Sequence, residues 1–67
     1  MAKSKFDRSL AAHERLFEKH RKNRSNDRSR RLMNYHANVH DKQLAIGRVL
    51  SFKERREIYR SWVKPNK

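Results

Sequence analysis

An all-α fold, a small three-helix arrangement, is predicted from three observations. Proline and glycine occur once each in 67 residues. No stretch alternates apolar and polar residues for more than a few positions, which leaves little strand signal. Apolar residues instead recur at three- and four-residue intervals through most of the chain, the spacing of one helix face. The length allows one domain, and residues 1–67 are read as a single small basic helical domain with loose ends.

The first helix is expected over about 5–22. Ser4 is a suitable N-cap, and Phe6, Leu10 and Phe17 fall in a narrow sector flanked by His13 and His20. Arg8, Arg15, Lys19 and Lys22 lie opposite, with Asp7, Glu14 and Glu18 between, and Glu18 to Lys22 has the favourable i,i+4 spacing. From Asn23 to Asp27 the apolar rhythm stops. Ser25, Asn26 and Asp27 are each able to cap a following helix, which makes this a basic connector, although its residues would also tolerate one long helix on a partner.

The second helix is expected over about 28–46, with Leu32, Tyr35, Val39 and Ile46 on one face and His36 and Gln43 at its edge. Gly47, the lone glycine, suits its end or a kink. Ser51-Phe52-Lys53-Glu54 is a capping box, because the Ser51 hydroxyl can accept from the Glu54 N–H while the Glu54 carboxylate reaches back to the Ser51 N–H. It opens a third helix over about 52–64, with Phe52, Tyr59, Val63 and Trp62 on its apolar side and Pro65 to stop it. The three stripes allow a closed bundle, or a pair of helices with the first docked elsewhere.

Charge is the stronger functional signal. The chain carries 19 Lys and Arg against 7 Asp and Glu, a formal net charge of +12. Within residues 19–31, Lys19, Arg21, Lys22, Arg24, Arg28, Arg30 and Arg31 meet a single acid, Asp27. Lys53, Arg55, Arg56, Arg60 and Lys64 add a second basic cluster on the third helix. Like charges held close destabilise a compact chain, and a polyanion is their natural partner. Nucleic acid is the expected partner, through Lys19, Arg21, Lys22, Arg24, Arg28, Arg30, Arg31, Lys53, Arg56 and Arg60. RNA is slightly favoured over DNA by the Asn and Ser interspersed among the arginines. The alternative is an adaptor or inhibitor that docks on an acidic protein surface of a nucleic-acid-processing machine, with Trp62 and Tyr59 as contact residues. Tyr35, Tyr59 and Trp62 also have the chemistry to stack on unpaired bases, against the plainer reading that they are core.

Other classes find less support. A helix-turn-helix would need a wider separation than that between Ala45 and Gly47, and would put Lys53 where a buried residue belongs. There is no cysteine, hence no disulfide, no thiolate zinc site and no zinc finger, which fits a reducing cytoplasm. His36 and His40 are i,i+4, a spacing able to place two imidazoles on one ion, but no third ligand is tied to them except Asp41. No metal or cofactor is expected. The acids read as caps and helix surface and no Gly-rich phosphate loop exists, so no enzyme is expected. The first helix is amphipathic enough to lie on a membrane, but its acidic sector weakens that reading. The start of the chain has no continuous apolar run of the signal-peptide kind.

Overall fold

The computed structural model describes residues 4–64. Three helices follow in chain order: α1 Lys5–Arg21, α2 Asp27–Ile46 and α3 Phe52–Trp62. The all-α expectation is met. Local chemistry sets most of the boundaries. Ser4 is extended, and its Oγ accepts from the Asp7 N–H at 3.1 Å, satisfying one of the unpaired donors of the first turn. Asn26 does the same for α2, with Oδ1 accepting from the Ser29 N–H at 3.2 Å. The capping box of α3 is formed in both directions. The Glu54 N–H donates to Ser51 Oγ at 3.2 Å, and the Ser51 N–H donates to Glu54 Oε1 at 2.9 Å. Gly47 ends α2 at φ 73°, a left-handed conformation open to glycine without strain, and its N–H donates to the Gln43 carbonyl at 2.8 Å.

Two local expectations, the partner of Glu18 and the end of α3, are corrected. Glu18 does not pair with Lys22; it accepts from Arg21 Nε at 2.9 and 3.0 Å, because the guanidinium three residues on reaches both oxygens. The basic connector forms the expected turn. Asn23 N–H donates to the His20 carbonyl and Asn26 N–H to the Asn23 carbonyl, a pair of tight turns that reverse the chain. The third helix ends at Trp62 and not at 64, where the N–H groups of Val63 and Lys64 both turn to the Tyr59 carbonyl. Pro65 and the loose ends fall outside the described residues.

Both α1 and α3 pack on α2, and they make no close backbone approach to each other. The closed bundle is therefore not formed. α2 is the helix on which the other two pack, and the molecule measures 41 × 26 × 16 Å along its principal axes. Few apolar side chains are fully buried: Val39 on α2, Leu50 in the link, and Val63 after α3. The rest of the interior is polar. Gln43, placed by its sequence pattern at the edge of a face, is completely buried. Its Oε1 accepts from the Leu50 N–H at 3.1 Å, and its Nε2 lies 3.2 Å from Ser9 Oγ on α1, so one amide ties all of α1, α2 and the link together. That bond draws Leu50 inward, and the residues flanking the link are left out. Ile46 and Phe52, both expected on inward faces, are exposed, Phe52 to 72 %. Trp62 is also outside, at 41 %.

Candidate nucleic-acid interface

The tract 19–31 folds into the end of α1, the turn and the first turn of α2. All seven of its predicted contact residues, Lys19, Arg21, Lys22, Arg24, Arg28, Arg30 and Arg31, are exposed. Three of them are held by acids. Arg21 is fixed on Glu18, which lowers the carboxyl below its usual range and raises the guanidinium above its own. Arg30 and Arg31 share Asp27, with Nη2 to Oδ1 and Oδ2 distances of 2.8 and 2.9 Å. Arg30 Nη1 also donates to the Arg24 carbonyl at 3.4 Å and so braces the turn. Lys19, Lys22, Arg24 and Arg28 have no carboxylate partner among the described residues.

Electrostatics sharpen the contrast between the two helix ends. Lys19 and Arg21 stand at the C-terminal end of α1, where the helix dipole favours cations. Arg28, Arg30 and Arg31 stand at the N-terminal end of α2, where it disfavours them. One carboxylate, Asp27, faces that whole group.

The second cluster lies along α3. Lys53, Arg56 and Arg60 are spaced by three and four residues, which puts them on one face, and all three are exposed without an ion pair among the described residues. Glu57 stands in the same sector. Beside this face, Tyr35 of α2 and Phe52, Arg55, Arg56 and Tyr59 of α3 line an open cleft of about 270 Å³. Tyr35 and Tyr59 meet edge to face, with centroids 5.4 Å apart. Burial raises the Tyr35 phenol above its usual range, with the Arg55 charge working the other way. Arg55 Nε is buried without a hydrogen-bond partner among the described residues. Tyr59 is half-buried and Trp62 exposed, and Trp62 does not line the cleft.

The four histidines all come to the α1–α2 seam. His13 and His36 approach Nδ1 to Nδ1 at 2.9 Å, a distance at which one ring must donate its proton to the other. His20 stacks on His36, with planes 4° apart and centroids at 5.8 Å. Burial, then His13 and His20, push the His36 pKa down to about 4. Burial, then Arg55 and His40, lower that of His13. The i,i+4 pair is thus split: His36 faces His13, while His40 Nε2 turns to Glu14 Oε2 at 3.5 Å and its Nδ1 to Asp41 Oδ1 at 3.7 Å. Among the described residues no group of three His, Asp or Glu is arranged to hold a metal ion.

Neither protein families, nor curated proteins, nor solved structures match this chain. The site is therefore read from its own chemistry. Sequence patterning missed Phe52 as a surface residue and gave Arg55 no part beyond its charge. The signal that could have found them is their spacing: 52, 55, 56 and 59 fall on one sector of a helix, with aromatic and basic residues together. No helix of the described residues is long and apolar enough to cross a membrane.

Proposed function

We propose that this chain is a small helical nucleic-acid-binding protein, with RNA slightly favoured over DNA, and an accessory or regulator of gene expression. The observation that carries it is a surplus of exposed cations left without acids. Lys19, Lys22, Arg24, Arg28, Lys53, Arg56 and Arg60 have no carboxylate partner among the described residues, in a chain of net charge +12. Arg28, Arg30 and Arg31 gather at the α2 N-terminus, where they work against the dipole and where a phosphate would be stabilised both by them and by the helix. Binding needs no catalytic group here, and the acids serve other ends: Glu54 caps α3, while Asp27 and Glu18 hold arginines. The absence of cysteine fits a reducing compartment such as the cytoplasm.

A salt titration tests the reading. If ~6 phosphates are contacted, log K falls against log salt with a slope of about −4 to −5. An affinity for RNA and DNA that barely changes between low and moderate salt overturns it.

A second reading is favoured by exposed apolar residues, above all Trp62, with Leu44 at 54 % and Ile46 at 42 % exposure. In it the chain docks on an acidic protein surface, and charge mainly steers the encounter. The two part on mutation. Replacing Lys22, Arg24 and Arg28 with Ala weakens nucleic-acid binding and flattens the salt slope by roughly 2 to 3 in the first mechanism, whereas Trp62→Ala damages the second more.

A further inference from the structure

We propose that the cleft between α2 and α3 is a seat for one unpaired base of a single-stranded nucleic acid, flanked by phosphate contacts. The inference rests on the nucleic-acid reading and specifies what that site recognises. Four observations meet in one place. The cleft is walled by three aromatic rings, Tyr35, Phe52 and Tyr59. Phe52, whose ring would be expected inside, is 72 % exposed. Arg55 and Arg56 line the same cleft and bring two guanidinium groups beside the rings. At about 270 Å³ the cleft lies just below the roughly 300–1,000 Å³ of drug-sized pockets, which suits one flat ring system rather than a larger ligand.

Aromatic faces beside guanidinium groups are what an unpaired nucleotide needs. The base stacks on a ring whatever its identity, and the phosphate or a base edge accepts from the arginines. Hydrogen bonds from a guanidinium to an anionic oxygen are among the stronger ones, which suits Arg55 and Arg56 at the cleft to a phosphate. A duplex keeps its bases stacked on one another and cannot offer one to such a cleft without unpairing it. An acidic peptide would answer the arginines but leave the exposed Phe52 ring without its natural stacking partner.

The fold also gives the strand a path. Tyr35 shares a sector of α2 with Arg31 and Arg28, four and seven residues earlier. At 1.5 Å per residue these lie about 6 and about 10 Å along the helix axis. The two basic clusters are thereby joined through Tyr35: a strand with a base in the cleft can run along α2 toward the basic turn.

Fluorescence anisotropy with a labelled oligouridylate, the thymidylate oligomer of equal length and a blunt duplex provides the test. The single strands should bind more tightly than the duplex, and comparison of the first two separates RNA from DNA as the source of the base. Phe52→Ala should weaken single-strand binding roughly tenfold, leave duplex binding and the salt slope unchanged, and be rescued by Phe52→Trp. Phe52 is exposed at the first position of α3, and circular dichroism should report an unchanged helix content in both variants. If Phe52→Ala binds single strands as well as the parent does, the cleft is overturned while the phosphate reading stands. If none of the three probes binds in a salt-dependent way, both fall.

Discussion

The His13–His36 contact fixes how the α1–α2 seam answers to acid. At 2.9 Å one Nδ1 donates and the other accepts, so the pair exists only while at least one ring is neutral. A proton on both would set two N–H groups head to head in a buried place, with His20 stacked on the far side and Arg55 adding its own charge. Among the described residues the acids that meet a seam histidine are Glu14 and Asp41, and they face His40. The His36 pKa of about 4 lies below the ordinary value of 6.5, so the unfolded chain binds the proton first. Stability is therefore full above pH 6.5 and is lost as pH falls toward 4. A shift of this size is worth about 3 kcal/mol in all, of which about 2 kcal/mol is gone by pH 5. Thermal unfolding followed by circular dichroism at pH 7.5 and pH 5 should show a large fall in midpoint. His36→Asn, which cannot take the proton, should be less stable at pH 7.5 but lose most of that fall. An equal fall in the variant would place the acid sensitivity elsewhere. At this scale the sequence was least legible. The helical wheel put His13, His36 and Gln43 beside apolar stripes, but whether a polar side chain is buried depends on its partner, and the partners are 23 and 34 residues away.

Helix ends were legible because their chemistry is local. Ser4, Asn26, Gly47 and the Ser51–Glu54 box each act within a few residues; Ser4, Gly47 and the box appear where the sequence puts them, and Asn26 is the one of three candidate caps that is used. The box is also the strongest of these devices. Glu54 is held at a pKa of about 2, first by Arg48, which meets both its oxygens at 2.8 and 2.9 Å, and then by the Ser51 N–H. Arg48 lies in the link, six residues before Glu54, so the pair fastens the link to α3 as well as capping it. Ser51→Ala removes the hydroxyl that accepts from the Glu54 N–H and should cost about 1 kcal/mol. In a chain with so little buried apolar surface that is a visible loss, read as a lower denaturant midpoint with the slope unchanged. A midpoint equal to the parent's would mean that Glu54 and Arg48 hold the α3 N-terminus without the serine. What local chemistry could not supply was the face of each element that meets its neighbour. Phe52 and Ile46 carry the right residue type at the right spacing, yet Leu50, off any helix, takes the place inside because Gln43 claims its N–H.

The helix count and the excess of charge were readable from composition and period, whereas the central position of α2 was not, since three comparable stripes do not say which two share a third. With α2 shared by α1 and α3, the basic turn and the basic face of α3 belong to one molecule whose longest dimension is 41 Å. That geometry makes its own self-repulsion testable. At ~0.01 M salt the screening length is about 30 Å, so cations across most of the molecule feel one another; at ~0.15 M it is about 8 Å, and only neighbours do. The surface pairs Arg21–Glu18 and Arg30–Asp27 are exposed and weak, and salt weakens them further. Repulsion among 19 cations facing 7 acids should outweigh that loss. The melting midpoint of the free protein should therefore rise by several degrees over this salt range, since about 1 kcal/mol moves a domain of this size by roughly 4–8 °C. Nucleic-acid affinity should fall over the same range. Opposite signs for the two salt responses would show that the charge burdens the fold and serves the contact. A midpoint that falls with salt would instead make the cations net stabilisers of the free chain, and would remove the main reason for assigning them to a polyanionic partner.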